Sequence, residues 1–222
     1  MRLYQALPRL EHSLAVPPRL RLLVLAQALS LLAGCGAADV RSQLRGILLD
    51  APYARPSFTL TDTRDRPYDF RGETAGRLTL LYFGYTHCAD VCPMTMANIA
   101  GAMRSLPAAD ARRVRVVFVT VDPERDTPAA LGAWLAHFDP SFVGLGGPDT
   151  TVARVEASLH LAGTMRDMAA HAMASDIGHA PQVVAITPDD SAHVIYRAGV
   201  PLDDWRHDLP LLLEAWPARG AR

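Results

Sequence analysis

The stretch Leu78-Thr79-Leu80-Leu81-Tyr82-Phe83, followed by Gly84-Tyr85-Thr86-His87-Cys88-Ala89-Asp90-Val91-Cys92-Pro93, decides the fold of this chain. Its first six residues form the apolar run that is typical of a strand buried on both faces. The segment that Pro93 opens predicts a helix, because apolar residues recur there at helical spacing: Met96, Ile99, Ala100 and Met103. A buried strand that leads directly into a helix indicates an α/β domain.

The same patterns predict the remaining elements. An alternating segment, Pro56 to Phe70, indicates a β-hairpin with its turn at Asp62 to Arg66. Three more strands and three more helices follow: strands Val114 to Val121, Val183 to Ile186 and Val194 to Arg197, and helices Pro128 to Phe138, 149 to 161 and Leu202 to Trp216. This order is that of a thioredoxin-like fold, an α/β fold with a mixed central sheet flanked by helices. The chain adds an N-terminal β-hairpin and an insertion before the last two strands.

The bulk composition sets the number of domains and excludes one class of partner. The chain has 222 residues, of which 50% are hydrophobic, and this suits one compact domain, which we place at residues 51–218. The formal net charge is only −1, so the sequence carries no electrostatic signal for nucleic-acid binding.

The N-terminal segment reads as a bacterial lipoprotein signal peptide, residues 1–34. Arginines precede an apolar run, Leu22 to Ala33, which ends in Leu32-Ala33-Gly34-Cys35 and is similar to a lipobox. We therefore predict that Cys35 carries the lipid, that residues 35–50 form a tether, and that the domain faces the cell envelope, outside the cytoplasm. The alternatives are an uncleaved anchor and an ordinary buried Cys35.

Cys88 and Cys92 are the thiols that remain if Cys35 is lipidated. They follow a buried strand and lie where a helix begins, with Pro93 expected as its first residue. Because a helix N-terminus favours a thiolate, we predict a lowered pKa for Cys92. Three residues separate the two cysteines, which allows either a disulfide or a bridging metal. Two thiolates and an imidazole suit Cu(I), whereas a purely structural disulfide would close only a very small loop.

Three segments resemble the Sco/SenC family: Tyr82 to Pro93, Val119-Thr120-Val121-Asp122-Pro123-Glu124-Arg125-Asp126-Thr127-Pro128, and Pro56-x-Phe58-x-Leu60-x-Asp62. The resemblance implies one copper ion, bound by both cysteines and a distant histidine. Cu(I) is the expected oxidation state, and Cu(II) is the alternative. The resemblance also implies copper delivery to, or thiol reduction at, the copper site of cytochrome c oxidase subunit II. Another copper acceptor and an envelope thiol reductant are the further partners to consider.

His179 is the histidine that matches the family's ligand position. It lies directly before the strand that begins at Val183, in a loop that faces the cysteine pair in a thioredoxin-like fold. The family often has Asp immediately before this histidine, where this chain has Gly178. His171, or no histidine at all, remains the alternative. Pro181 falls where thioredoxins carry a cis-proline, so we expect the Ala180–Pro181 bond to be cis.

Other residues near these motifs give weaker signals. The segment from His160 to His179 is rich in Met and His, which indicates either ordinary packing or a second copper contact. His87 adjoins Cys88 but is not expected as a ligand, and Asp90 could tune the thiols or meet a partner. The competing functions are a thioredoxin-type thiol-disulfide oxidoreductase and, with less support, a thiol peroxidase that would use Thr86.

Overall fold

The computed structural model describes residues 39–163 and 181–218. An eight-stranded mixed sheet forms the centre of this part of the chain. Its strands are β1 Ile47–Ala54, β2 Thr59–Asp62, β3 Pro67–Asp69, β4 Leu78–Gly84, β5 Val114–Thr120, β6 Val143–Gly146, β7 Val183–Thr187 and β8 Ser191–Tyr196. The helices are α1 Phe70–Thr74, α2 Val91–Ser105, α3 Ala108–Ala111, α4 Pro128–Ala136, α5 Asp149–Ser158 and α6 Leu202–Ala215.

The strand order is β1-β8-β7-β4-β5-β6-β2-β3. Strands β4, β5 and β6 pair in parallel, and all other pairs are antiparallel. The predicted thioredoxin-like fold is confirmed: β8, β7, β4 and β5 form its core sheet. The hairpin of β2 and β3 and the inserted β6 extend one edge, and β1 extends the other.

The parallel pairing of β4 and β5 positions the functional loops. Gly84 and Thr120, the last residues of the two strands, are partners in register. The loop that carries the cysteines and the loop that begins at Val121 therefore leave the sheet side by side. A hydrogen bond from the Val121 N–H to the Gly84 carbonyl, 2.8 Å long, joins the two loops where they start.

Strand β4 is buried along its whole length and contributes to both layers of the core. Leu80 and Tyr82 point to the layer formed by α2, α4 and α6, whereas Leu81 and Phe83 point to the layer that α5 covers. Side chains alternate between the two faces of a strand, so a run that is apolar at every position needs cover on both sides. The apolar pattern of this strand thus requires the two helical layers that the structure has.

Most sequence predictions agree with the structure to within a few residues. The hairpin, the two parallel strands and the final hairpin with its helix are all present. Two short helices, α1 and α3, and strand β6 were not predicted. The four-residue β6 contains two glycines and is too short to give a recognisable pattern.

The predicted tether, residues 35–50, is wrong over its second half. Val40–Gln43 forms a 3₁₀ turn, and β1 begins at Ile47. The backbone N–H groups of Arg45 and Gly46 donate to the buried Asp208 carboxylate on α6, at 2.9 and 3.0 Å. These bonds fix the start of β1 to the last helix, so residues 40–50 belong to the folded domain.

The N-terminal predictions concern residues that the structure does not describe. The signal peptide, residues 1–34, and the lipidated Cys35 lie outside the described ranges. Across those ranges, no helix combines the length and the apolar character needed to cross a membrane.

Candidate metal centre

The two predicted thiols lie together where β4 gives way to α2. The loop between these elements starts with a turn in which the Cys88 N–H donates to the Tyr85 carbonyl at 3.3 Å. Cys88 is half-buried, Cys92 is fully buried, and both are free thiols. The sequence prediction that strand and helix bring this pair together is therefore confirmed by the geometry.

Helix α2 begins two residues earlier than expected. Val91 is its first residue, so Cys92 is the second and Pro93 the third. The N-cap residue Asp90 makes no side-chain capping hydrogen bond. Instead, the Cys92 N–H donates to the Cys88 sulfur at 3.4 Å, and the sulfur thus accepts from one of the otherwise unpaired N–H groups of the first turn.

The predicted lowering of the Cys92 pKa is wrong. Burial is the largest influence and raises the pKa of the Cys92 thiol to about 12, because the surrounding core disfavours the thiolate. Hydrogen bonds from the Tyr82 hydroxyl, at 3.4 Å, and from the Tyr85 backbone lower this pKa but do not offset the burial. Cys92 does lie in the first turn of the helix, but the burial of its side chain decides the direction of its pKa shift.

Gly84 leaves the space that the Cys92 sulfur occupies. A Cβ atom at Gly84 would lie 2.8 Å from the Cys92 Sγ and 3.0 Å from the Phe118 ring. Side-chain carbons essentially never approach other atoms so closely, so any larger residue would displace the sulfur or the ring. The absence of a side chain at the end of β4 is thus a condition for the buried thiol.

A buried carboxylate ties the cysteine loop to the neighbouring loop. Asp126 accepts hydrogen bonds from the Thr86 N–H at 3.0 Å, from the Thr86 hydroxyl at 2.5 Å and from the Thr120 hydroxyl at 2.6 Å. Its side chain is fully buried. Since two donors come from the Cys88 loop and one from the last residue of β5, Asp126 holds the start of the Cys88 loop against the end of β5.

Asp122 stabilises the turn that follows β5. Its carbonyl accepts from the Asp126 N–H at 2.9 Å, and its carboxylate pairs with Arg125. His87, Asp122 and Asp126 bring possible metal-ligating atoms within 4.8 Å of one another. Both carboxylates already have these partners, so the cysteine pair is the better candidate for a soft metal ion.

The site residues Asp126 and Tyr82 were not singled out from the sequence, and Thr86 was considered only as the residue that a thiol peroxidase would use. Asp126 and Tyr82 do lie in the segments that resemble the Sco/SenC family, which was the available signal. The partners of Asp126 are up to 40 positions away in the chain, so the sequence gives no local pattern for these bonds.

The proposed histidine ligand lies outside the described residues. This applies to His179, to the alternative His171, to the Ala180–Pro181 bond and to all of the Met/His-rich segment except its beginning. His160 is described and follows α5 with a positive φ of 53°, and its ring contacts Tyr53 at a centroid distance of 4.7 Å. The hypotheses about this segment therefore stay predictions.

Three further histidines of the described residues differ in their positions. His137 caps the C-terminus of α4 and is exposed. His193 instead lies within β8, where it contacts Asp189 at 2.9 Å and stacks on Trp216. His207 lies within α6 beside Asp208, at 2.7 Å.

Comparison with known proteins identifies the family. A family model described as SCO1/SenC matches residues 49–209, which include both cysteines and the Asp126 loop. The chain belongs to the SCO1/SenC family. The match covers nearly all of the folded domain, so the earlier resemblance of three short segments extends to the whole sheet and its helices.

Three relatives illustrate the range of this family. A protein from Stutzerimonas stutzeri, whose name describes it as copper-binding, is 32% identical over 178 residues, which are 78% of this chain and 83% of that protein. The structure of Bradyrhizobium japonicum ScoI with copper bound is 29% identical, with a TM-score of 0.60, and the match covers 73% of this chain and 98% of that one. A mitochondrial SCO2 homologue from Bos taurus is 39% identical over 115 residues, 50% of this chain but only 42% of the relative.

Proposed function

We propose that this chain is a copper metallochaperone that binds one copper ion through Cys88, Cys92 and His179. The observation that carries the proposal is the pair of free thiols at the start of α2, one half-buried and one fully buried. Membership of the SCO1/SenC family and the copper-bound ScoI relative support copper as the ion.

The donor set fits Cu(I) by its chemistry. Thiolate sulfur is a soft ligand that favours Cu(I), and an imidazole is a suitable third ligand. Burial makes the free Cys92 thiolate costly, so a bound cation would stabilise the ionised form that the protein alone disfavours. Copper binding would therefore release protons from the thiols. Cu(II) is the second oxidation state to test.

The cargo would be delivered to cytochrome c oxidase subunit II or to another copper acceptor. In that role the half-buried Cys88 is the thiol that an acceptor can approach, while the buried Cys92 keeps the ion bound on the side of the core. The Sco/SenC resemblance supports this acceptor, and the copper site of subunit II is the first to test.

A thioredoxin-type thiol-disulfide oxidoreductase is the second candidate. The Cys88 side chain is close enough to the Cys92 thiol to raise its pKa, and the two sulfurs could form a disulfide. In that reaction both thiols lose a proton and together give two electrons to the acceptor disulfide, which becomes two thiols. An envelope thiol reductant would then restore the pair.

Cys35 would attach the domain to the cell envelope. We propose that residues 1–34 are removed and that Cys35 receives the lipid, so the copper site lies outside the cytoplasm. Metabolic labelling with an alkyne fatty acid should label the parent protein but not Cys35→Ser. Labelling of both proteins would contradict this assignment.

Titration with Cu(I) against a competing chelator separates the two functions. The reduced full-length protein in detergent should bind one Cu(I), and His179→Ala should bind it at least about tenfold more weakly. His137→Ala, which removes an exposed histidine on α4, is the matched control and should bind like the parent. If His179→Ala binds as tightly as the parent, the ligand assignment is wrong. Weak binding by the parent together with efficient disulfide reduction would favour the oxidoreductase.

A further inference from the structure

His87 is an exposed residue of the cysteine loop, directly before Cys88. Its side chain is 54% exposed, whereas Cys88 is half-buried and Cys92 is fully buried. These three possible ligands thus form a series from solvent to core in chain order. A copper ion that enters or leaves from solvent would meet His87 and Cys88 before Cys92.

A chain of hydrogen bonds fixes which nitrogen of His87 carries the proton. Asp126 accepts from the Thr86 hydroxyl at 2.5 Å, and this uses the only proton of that hydroxyl. The Thr86 oxygen also lies 3.1 Å from the His87 Nδ1. Since the oxygen can only accept in this second bond, Nδ1 must be the donor. In the neutral imidazole, Nε2 then carries the free lone pair.

The Asp126 carboxylate also acts as the acceptor in its other hydrogen bonds, which is consistent with this direction of the Thr86 bond. It accepts from the Thr86 N–H and from the Thr120 hydroxyl in addition to the Thr86 hydroxyl. Three hydrogen-bond donors directed at this fully buried carboxylate hold it in place. The His87 Nδ1 also lies 3.6 Å from Asp126 Oδ1, so the negative charge attracts the protonated nitrogen.

This orientation is the one that metal-binding histidines usually have. Such histidines donate the N–H of one nitrogen to an oxygen of the protein, which fixes the ring and increases the basicity of the other nitrogen. In His87 the oxygen is that of Thr86, supported by Asp126.

We propose that His87 is an exchange ligand that binds Cu(I) through Nε2 while the ion passes between a partner and the cysteine pair. This inference rests on the proposed copper function and adds a fourth residue to it. In the uptake step a bond between Cu(I) and Nε2 forms as one bond between Cu(I) and the donor's ligand breaks. The ion then moves to the Cys88 sulfur as the bond to Nε2 breaks and the thiol proton leaves to solvent, and no electron is transferred.

The tautomer can be measured without copper. The probe is a long-range proton–nitrogen NMR spectrum of the full-length, histidine-labelled apoprotein, at a pH where His87 is neutral. The signal missing in His87→Ala identifies the residue. We expect the Nδ1–H form, and we expect Thr86→Ser to keep it and Thr86→Val to lose the preference. A predominant Nε2–H form in the parent would overturn the proposal.

The exchange role can be measured as rates of copper transfer. Stopped-flow mixing follows Cu(I) uptake from a weak chelator and release to a strong one, for the parent, His87→Ala and the control His137→Ala. We expect His87→Ala to slow both rates about tenfold, so that the Kd changes little. Thr86→Val should slow them less, and Thr86→Ser should match the parent.

The outcomes distinguish this proposal from the proposed function. If the parent and His87→Ala bind Cu(I) equally tightly and exchange it equally fast, only the exchange role fails. A Kd that His87→Ala weakens as strongly as a cysteine substitution would also overturn it, because His87 would then be a permanent ligand. If the parent itself binds no Cu(I), the proposed function fails and the exchange role fails with it.

Discussion

The Cys92 N–H donates to the Cys88 sulfur at 3.4 Å, across the start of helix α2. A capping residue normally supplies an oxygen for an N–H group of the first turn, but Asp90 at the N-cap makes no such bond. The half-buried thiol therefore also serves the helix that carries the buried thiol. This relationship couples the geometry of the pair to the start of the helix.

Gly84→Ala should disturb the packing around the Cys92 sulfur. The new Cβ would lie 2.8 Å from the Cys92 sulfur, so the sulfur or the Phe118 ring must move. We expect the free energy of unfolding to fall by about 1–3 kcal/mol and Cu(I) affinity to fall with it. Urea denaturation and chelator competition measure the two effects.

Gly163→Ala is the matched control for this substitution. Among the described residues, a Cβ at Gly163 would meet no atom within 4 Å, so stability and copper binding should stay as in the parent. Equal stability of Gly84→Ala and Gly163→Ala would show that the space above Cys92 is not as restricted as the structure indicates.

Cys88 should react with alkylating reagents much faster than Cys92. Cys92 is fully buried, and burial raises the pKa of its thiol to about 12, so few thiolates form at neutral pH. We expect at least a tenfold difference, on the order of what access and thiolate fraction allow. Peptide mass spectrometry after timed treatment of the reduced native protein measures each site.

Unfolding in urea provides the control for the alkylation experiment. Both thiols should then react at similar rates, because burial no longer separates them. Faster reaction of Cys92 than of Cys88 in the native protein would contradict the deeper burial of Cys92. The proposal that a partner reaches Cys88 first depends on this difference in burial.

Asp62→Asn should make stability less dependent on acid pH. Burial raises the pKa of Asp62, but hydrogen bonds from the backbone N–H groups of Arg66 and Arg64 and from the Arg66 side chain outweigh it, and the net pKa is lowered. A carboxyl with a lowered folded-state pKa stabilises the protein above its unfolded value, near pH 4, and loses this effect as pH falls. The parent should therefore exceed the variant by about 1 kcal/mol at pH 7 and by less at pH 3.

Thermal unfolding at several pH values measures this difference. Asp65→Asn is the control, since Asp65 is exposed in the same turn. A gap between the parent and Asp62→Asn that stays constant down to pH 3 would contradict the lowered pKa of Asp62.

The sequence predicted the elements that are buried along their whole length. It did not predict features that depend on contacts between residues distant in the chain. Strand β4 ends only one residue from its predicted end, because each of its residues is buried. Strand β1 is mostly exposed and pairs only with β8, so its sequence shows no strong alternation. Its first half, residues 47–50, was therefore predicted as part of a tether.

The candidate site shows the same division. The helix start and the cysteine spacing are local features, and they placed Cys88 and Cys92 correctly beside each other. The depth of Cys92 depends on Tyr82, Gly84 and Phe118. None of these contacts is visible as a local pattern, and the burial of the thiol reverses the predicted direction of the Cys92 pKa. The anchoring of the loop by Asp126 likewise depends on Thr86, 40 positions earlier.

The central claim is that Cys88, Cys92 and His179 together hold one copper ion. X-ray absorption of the full-length protein loaded with one Cu(I) measures the ligand atoms directly. The proposal predicts two sulfur ligands and one nitrogen ligand per copper, with the nitrogen lost in His179→Ala and retained in His137→Ala. A copper ion with fewer than two sulfur ligands, or with its nitrogen ligand unchanged in His179→Ala, would contradict it.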